Sequence, residues 1–168
     1  MLIILIGPKG SGKTHIGRLL ESEFGVHFFH VEPLWMAYHA ECSKEGREPR
    51  ISDGVKRVHP AIAAALRVHQ HVCVETTGAS PEILEDLLSL AGPDTRLLVR
   101  VDAPLSICLA RIVGRDQTHQ IPLSREEIER VYILSAALDI KFDLSFDNVS
   151  LADDEILEPF GTRLFSDL

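Results

Sequence analysis

Near the start of the chain the sequence reads Gly7-Pro8-Lys9-Gly10-Ser11-Gly12-Lys13-Thr14, directly after the apolar run Leu2–Ile6. The pattern G-x-x-x-x-G-K-[ST] between a strand and a helix is typical of a loop that binds phosphate groups. Its glycines let the backbone curl with N–H groups pointing inward, and no Cβ atom stands in the way of the anion. We therefore predict a phosphate-binding loop at residues 7–14 rather than a glycine-rich turn without a ligand.

Two side chains of this loop have predicted roles of their own. Lys13 is expected to reach the β- and γ-phosphates of a nucleoside triphosphate, and the Thr14 hydroxyl is expected to bind Mg²⁺. The helix that begins near Lys13 adds the positive end of its dipole. Pro8 and Lys9 occupy variable positions, where the Lys9 ammonium either lies near the phosphates or is solvated. The expected cofactors are ATP and Mg²⁺, although the motif does not identify the base.

The composition describes an ordinary globular chain of one domain, residues 1–168. It is 45% hydrophobic and 25% charged, and this length suffices for a core of its own. The formal net charge of −8 argues against non-specific binding to nucleic acid or to an anionic membrane. The three cysteines show no C-x-x-C spacing, which indicates neither a disulfide framework nor a zinc site. The first apolar run is too short for a signal peptide or a membrane span, so we expect a cytoplasmic protein.

Strand-like and helix-like segments alternate along the chain. Short apolar runs bounded by turn residues predict five strands, at residues 2–6, 26–31, 71–75, 96–101 and 142–146. Helical spacing predicts helices at residues 13–24, 33–42, 52–69, 80–91, 104–113, 124–140 and 153–160, with a kink or break at Pro60. Such alternation is typical of an α/β fold whose parallel sheet is covered on both faces. Ligands of such sheets lie beyond the carboxyl ends of the strands.

Acidic side chains stand at two of these predicted strand ends. Glu75 ends the third strand as a Walker-B-like acid does, and it is a predicted magnesium ligand. Glu32 ends the second strand, where it either orients Mg²⁺ or accepts a proton from a substrate hydroxyl. The alternative for Glu32 is a solvated acid that starts a turn before Pro33. His30 lies on the same side of the predicted strand as Glu32, and we expect it to approach the magnesium region.

Two arginines follow the fourth strand. Arg111 and Arg115 lie one turn apart at the end of a predicted helix and lead into a polar segment, residues 114–123. Guanidinium groups at the entrance to such a segment suit a lid that closes on the triphosphate and neutralises charge during transfer. The alternative is that both arginines cap the carboxyl end of the helix.

The chain resembles the small P-loop kinases of the shikimate kinase and adenylate kinase type. The resemblance rests on residues 7–14, His30-Val31-Glu32, Glu75-Thr76-Thr77-Gly78 and the arginine pair, and it spans nearly the whole length in element order. It implies a three-layer α/β/α fold, a parallel sheet of strand order 2-3-1-4-5 and a short lid after the helix that follows strand 4. It also implies that Glu32 stands where shikimate kinases have the acid nearest the substrate hydroxyl, while His30 replaces their other acid.

The resemblance and the motifs together predict a Mg²⁺-dependent phosphotransferase that moves the γ-phosphoryl group of ATP to a small-molecule acceptor. Residues 33–67 are expected to line the acceptor pocket, because they connect strands 2 and 3 on the ligand side. The candidate side chains are Trp35, Tyr38, Arg47, Arg50 and Arg57, and the alternative for each is a structural or solvated side chain. Two alternatives stay open at this point: a nucleotide-binding ATPase or switch without an acceptor, and a kinase that acts on a nucleic-acid end. Neither the acceptor nor the oligomeric state can be inferred from the sequence.

Overall fold

A computed structural model of the protein describes residues 1–114 and 123–165. Within these ranges five strands form one sheet: β1 (Leu2–Ile6), β2 (His27–Phe28), β3 (Val72–Thr76), β4 (Arg96–Asp102) and β5 (Leu144–Asp147). The strands are all parallel and lie in the order β2-β3-β1-β4-β5. The predicted fold class and strand order are therefore confirmed.

Helices cover both faces of the sheet. The described residues contain α1 (Lys13–Phe24), α2 (Glu32–Lys44), α3 (Ile51–Val68), α4 (Pro81–Ser89), α5 (Leu105–Val113), α6 (Arg125–Ala136) and α7 (Asp153–Leu164). Successive side chains of a strand point to opposite faces, so alternate residues of the fully buried β1 enter two cores. Ile3 and Leu5 pack with α1 and α7, whereas Leu2, Ile4 and Ile6 pack with α3 and α4. None of the helices in the described ranges has the length and apolar character needed to cross a bilayer.

The second strand is much shorter than predicted. It pairs with β3 only at residues 27–28, the Phe29 N–H adds one further bond to the Cys73 carbonyl, and the chain then turns into α2. Pro33 allows this turn because the first N–H groups of a helix have no partner within it. The prediction of a strand to residue 31 was wrong, so His30 lies outside the strand and Glu32 is the first residue of a helix.

Other predicted boundaries need smaller corrections. α3 runs without a break through Pro60, α6 ends at Ala136 rather than near residue 140, and β5 begins two residues later than predicted. At the entry to β5 the Asp143 carboxylate accepts a hydrogen bond from the Leu98 N–H at 2.8 Å, and the Asp143 N–H donates to the Leu98 carbonyl. A side chain thus takes part in the pairing of β4 with β5, which hydrophobic periodicity does not reveal.

One close approach between α1 and β2 leads to a stability prediction. A Cβ atom at Gly17 would lie 2.5 Å from the Phe28 ring, which is itself buried. Gly17→Ala should therefore lower the free energy of unfolding by about 1–3 kcal/mol, because overpacking outweighs the gain in helix propensity. Urea unfolding of the purified protein measures this change.

Gly161→Ala in α7 is the matched control. Its nearest neighbour, the Phe24 ring, would lie 3.6 Å from the new Cβ atom, an ordinary contact. This variant should be as stable as the natural protein, or more stable by up to about 1 kcal/mol. Equal stability of the two alanine variants would contradict the close packing at Gly17.

Candidate active site

The predicted phosphate loop joins the carboxyl end of β1 to the first turn of α1. Gly10 and Gly12 have φ angles of 86° and 103°, which favour glycine. The space is also restricted, because a Cβ atom at Gly10 would lie 2.5 Å from the Cys108 carbonyl oxygen. The motif therefore adopts a curled backbone directly before a helix N-terminus, the arrangement that binds anions.

Lys13 lies within this curl. Its Nζ donates hydrogen bonds to the carbonyl oxygens of Gly7 at 2.7 Å and Pro8 at 2.8 Å, and only 7% of the residue is exposed. The ammonium charge is consequently held over the loop rather than in solvent. The sequence left open whether Lys9 lies near the phosphates or is solvated. In the structure it lines the cleft beside the loop.

The carbonyl oxygen of Ser11 joins the loop to a distant part of the chain. The buried Asn148 donates to it at 2.8 Å, and Arg111 donates to it at 3.4 Å and to the Val149 carbonyl at 3.2 Å. Asn148 is held in turn by its own N–H, which donates to the Asp102 carbonyl at 2.7 Å. The turn after β5 thus supports the phosphate loop through the hydrogen bond from Asn148 to Ser11.

Sequence reasoning did not identify Asn148 as a site residue. It follows directly after β5, and the carboxyl ends of parallel strands meet at the ligand side of the sheet. The same rule that singled out Glu75 would have selected Asn148 had it been applied to the fifth strand.

Thr14 and Glu75, predicted from separate parts of the sequence, meet in the structure. The Thr14 hydroxyl lies 3.0 and 3.2 Å from the two carboxylate oxygens of Glu75. Pairing of β1 with β3 places Glu75 opposite Leu5, two residues before the phosphate loop. Glu32 faces the same cleft from the first turn of α2.

These oxygen groups fit a magnesium ion. Mg²⁺ binds oxygen ligands, keeps several waters, and commonly takes only one or two protein ligands beside substrate phosphates. A hydroxyl and a carboxylate in contact next to a phosphate loop supply such a set. The described residues contain no group of three His, Cys, Asp or Glu side chains that could hold a metal ion, so the protein ligands alone do not form a complete metal site.

Of the two predicted lid arginines, the structure describes Arg111. Arg111, in the last turn of α5, contacts the phosphate loop through Ser11, as described above, but it does not line the cleft. Arg115 and most of the predicted lid, residues 115–122, lie outside the described residues. The role of both arginines as charge-neutralising groups stays a prediction.

A cleft of about 370 Å³ extends from the phosphate loop. One wall is formed by the loop and the end of β3, and it carries Lys9, Lys13, Thr14 and Glu75. The opposite wall is formed by α2, α3 and α4. Its apolar side chains are Trp35, Ile51, Val55, Val58, Ile83 and Leu87. The cleft thus extends from the phosphate loop to a mostly apolar surface.

Most of the predicted acceptor residues are not in this cleft. Of the five, only Trp35 lines it; Tyr38, Arg47, Arg50 and Arg57 line a separate depression between α2 and α3. Arg57 forms a two-pronged ion pair with Glu41 at 2.5 and 2.7 Å, and this hydrogen bonding lowers the pKa of the Glu41 carboxyl. Arg47, Arg50 and Arg57 thus lie outside the cleft that Trp35 lines, and their role at an acceptor stays a prediction.

Comparison of the whole sequence with known families identifies the family of the chain. The family model described as AAA domain matches residues 2–132. The chain belongs to the AAA domain family. The matched region includes the phosphate loop, Glu32, Glu75 and Arg111, whereas Asn148 lies beyond it. Curated proteins provide no sequence match to this AAA domain chain.

Solved structures of similar fold include small-molecule kinases. A sugar kinase from Janibacter sp. HTCC2649 has a TM-score of 0.70 and 16% identity, over 97% of this chain and 93% of its own. A tunicamycin resistance protein from Deinococcus radiodurans has a TM-score of 0.66 and 17% identity, over 98% of this chain and 95% of its own. Shikimate kinase from Acinetobacter baumannii, solved with shikimate, has a TM-score of 0.59 and 17% identity, over 99% of this chain and 94% of its own. At these identities the likeness concerns the fold, and it confirms the resemblance of this AAA domain protein to the P-loop kinases.

The support of the loop by Asn148 can be tested. Asn148→Ala removes the shorter of the two hydrogen bonds to the Ser11 carbonyl, so nucleotide affinity should fall about tenfold, the equivalent of about 1.4 kcal/mol. Titration with a fluorescent ATP analogue, below the melting temperature of each variant, measures this loss. Ser145→Ala, an exposed change on β5, is the control and should bind as the natural protein does. Unchanged affinity of Asn148→Ala would contradict the supporting role.

Proposed function

We propose that this protein is a Mg²⁺-dependent kinase that transfers the γ-phosphoryl group of ATP to a small-molecule acceptor. The observation that carries the proposal is the cleft itself. It begins at the phosphate loop, passes the Thr14–Glu75 contact and Glu32, and continues along an apolar wall where an acceptor would lie. The kinases among the solved structures of the same fold support the same conclusion.

The phosphate loop would hold the donor. Loop N–H groups and the N-terminus of α1 bind the phosphates, and Lys13 supplies positive charge at the β- and γ-groups. Thr14 and Glu75 would hold Mg²⁺, which neutralises charge on the triphosphate when it is bound. Asn148 and Arg111 keep the loop in shape through Ser11. Arg111, together with Arg115, is also proposed to neutralise charge that develops during transfer.

Glu32 is proposed to act on the acceptor side. It stands at the start of α2, and it lines the cleft that both molecules would share. An acceptor hydroxyl would give its proton to the Glu32 carboxylate while its oxygen bonds to the γ-phosphorus. The bond from that phosphorus to the bridging oxygen would break, and ADP would leave.

The experiment that tests the function measures ATP consumption with and without a panel of hydroxyl-bearing and phosphate-bearing metabolites. Acceptor-dependent ADP release, with a phosphorylated product found by mass spectrometry, is the expected result. ATP hydrolysis that no metabolite stimulates, and that yields no phosphorylated product, would instead support the ATPase or switch alternative.

Lys13→Ala should weaken ATP binding at least tenfold and reduce turnover about 100-fold or more, because the phosphates lose a positioned charge. Isothermal titration with ATP and Mg²⁺ measures the affinity. Lys9→Ala is the matched control, since it removes the same charge from a variable position of the same loop, and its effect should be several times smaller. Unchanged ATP binding by Lys13→Ala would overturn the assignment of the phosphate loop.

Glu32→Gln should lower the rate about 100-fold with little effect on ATP affinity, because a carboxamide cannot accept the proton. The slow hydrolysis of ATP, in which water takes the place of the acceptor, allows this measurement before any acceptor is known. Glu82→Gln is the control, since Glu82 also stands in the first turn of a helix, α4, but is exposed. A rate for Glu32→Gln equal to that of the control would exclude Glu32 as the base.

A further inference from the structure

The wall of the cleft opposite the phosphate loop is apolar. Trp35 of α2, Val55 and Val58 of α3, and Ile83 and Leu87 of α4 line it. Among the described residues that line the cleft, none is an arginine, and the lysines are Lys9 and Lys13 of the phosphate loop. The charged groups near the apolar wall are therefore acids.

The two acids on the helical side are Glu32 and Asp86. The Asp86 carboxylate lies 2.8 Å from Nδ1 of His59, and its side chain is 20% exposed. His39, in α2, adds a polar ring to the same side of the cleft. This region of the cleft thus provides hydrogen-bond acceptors and apolar surface.

Two arginines near the cleft, Arg47 in the connection between α2 and α3 and Arg57 in α3, are held outside it. Arg47 and Arg57 lie over the ring of Tyr38, at 5.4 and 4.9 Å from its centroid, and both form ion pairs with Glu41. Tyr38 is buried, and its hydroxyl bonds to the Arg50 backbone. These contacts join α2 to α3, so the guanidinium groups are engaged outside the cleft.

The position of Trp35 is built into the packing of the same two helices. A Cβ atom at Gly54 would lie 1.9 Å from the Trp35 ring, so the indole rests directly on the backbone of α3. Its ring also meets that of Tyr38 edge to face, with the centroids 6.3 Å apart. Trp35 therefore has a fixed position in the apolar wall.

We infer that the acceptor is a hydroxyl-bearing molecule with an apolar body and no carboxylate or phosphate group. This inference rests on the proposed kinase function and adds the chemical class of the acceptor. An anionic group placed against this wall would lose its water without gaining an arginine or lysine from the described residues of the wall. The two lysines of the loop do not change this, because in the proposed function they face the phosphates of ATP.

Binding can be measured without turnover, because Trp35 is the single tryptophan of the chain and lines the cleft. The full chain with MgADP, which occupies the loop lysines, is titrated with 1,2-octanediol and with 2-hydroxyoctanoate. The two probes share the alkyl chain and the 2-hydroxyl, and they differ in the carboxylate. Trp35 fluorescence should show that the diol binds at least tenfold more tightly. Equal or tighter binding of the hydroxy acid, or no response to the diol, would overturn the inference.

Arginine variants test the cause of the preference. Val55→Arg places a guanidinium on the apolar wall and should shift the ratio of the two affinities at least tenfold toward the hydroxy acid. Ile51→Arg, at a lining position that is 44% exposed, serves as a second variant that burial strains less. Val68→Arg, where the valine is 76% exposed at the end of α3, is the control and should leave the ratio unchanged. An unchanged ratio in both cleft variants would overturn the inference.

The binding titration and the metabolite panel together separate this inference from the kinase proposal. Tight binding of the diol with no phosphorylated product from any panel member would overturn the kinase function and leave the preference of the cleft intact. Phosphoryl transfer to carboxylate-bearing or phosphate-bearing acceptors, in preference to neutral ones, would overturn the acceptor class and leave the kinase function intact.

Discussion

The register of β1 against β3 is the constraint on which the site depends. The two parallel strands align Leu5 with Glu75 and Ile6 with Thr76. A shift of one residue would turn every side chain of a strand to the opposite face, which would separate Glu75 from Thr14. All five residues of β1 are apolar and buried, so this strand packs into the cores on both faces of the sheet. The contact between a loop residue and an acid 61 positions away thus depends on how the two strands pair.

A second constraint acts on the loop from the other edge of the sheet. The turn after β5 brings Asn148 under the loop, so close that Gly12 could not carry a Cβ atom, which would lie 2.0 Å from the Asn148 amide nitrogen. Donors from Asn148 and Arg111 converge on one carbonyl oxygen. A loop whose backbone is held in this way needs little reorganisation to bind phosphate, and preorganised donors are the main means by which proteins stabilise transferring phosphoryl groups.

The division of the cleft into a charged wall and an apolar wall connects donor chemistry with acceptor choice. The charged wall comes from the strand ends and the phosphate loop, and it fits triphosphate and Mg²⁺. The apolar wall comes from α2, α3 and α4, so it can vary while the donor site is kept. Solved structures of the same fold include proteins described as a sugar kinase, a shikimate kinase and a tunicamycin resistance protein.

Structural features that depend on a local sequence pattern were predicted well, and features that depend on long-range contacts were predicted less well. The phosphate loop is a contiguous motif, and the buried strands are short apolar runs, so the loop and the parallel sheet were predictable. The end of β2 was not, because the apolar character of residues 26–31 suits a strand and the start of a helix equally. The arginines between α2 and α3 were acceptor candidates because their segment connects the second and third strands on the ligand side, but the direction of a side chain depends on which face of a helix packs inward.

The sequence by itself determined the fold class and the position of the predicted phosphate loop. A glycine pattern, a lysine and a threonine within eight residues suffice to predict phosphate and metal chemistry, because such a loop supplies its own backbone ligands. Only the tertiary structure decided which side chains line the cleft beside that loop. The apolar wall is assembled from three helices separated along the chain, and the arginines nearby are held by Tyr38 and Glu41 on the other side of those helices. Whether a charge faces a cleft depends on packing between elements, which the order of residues along one element does not reveal.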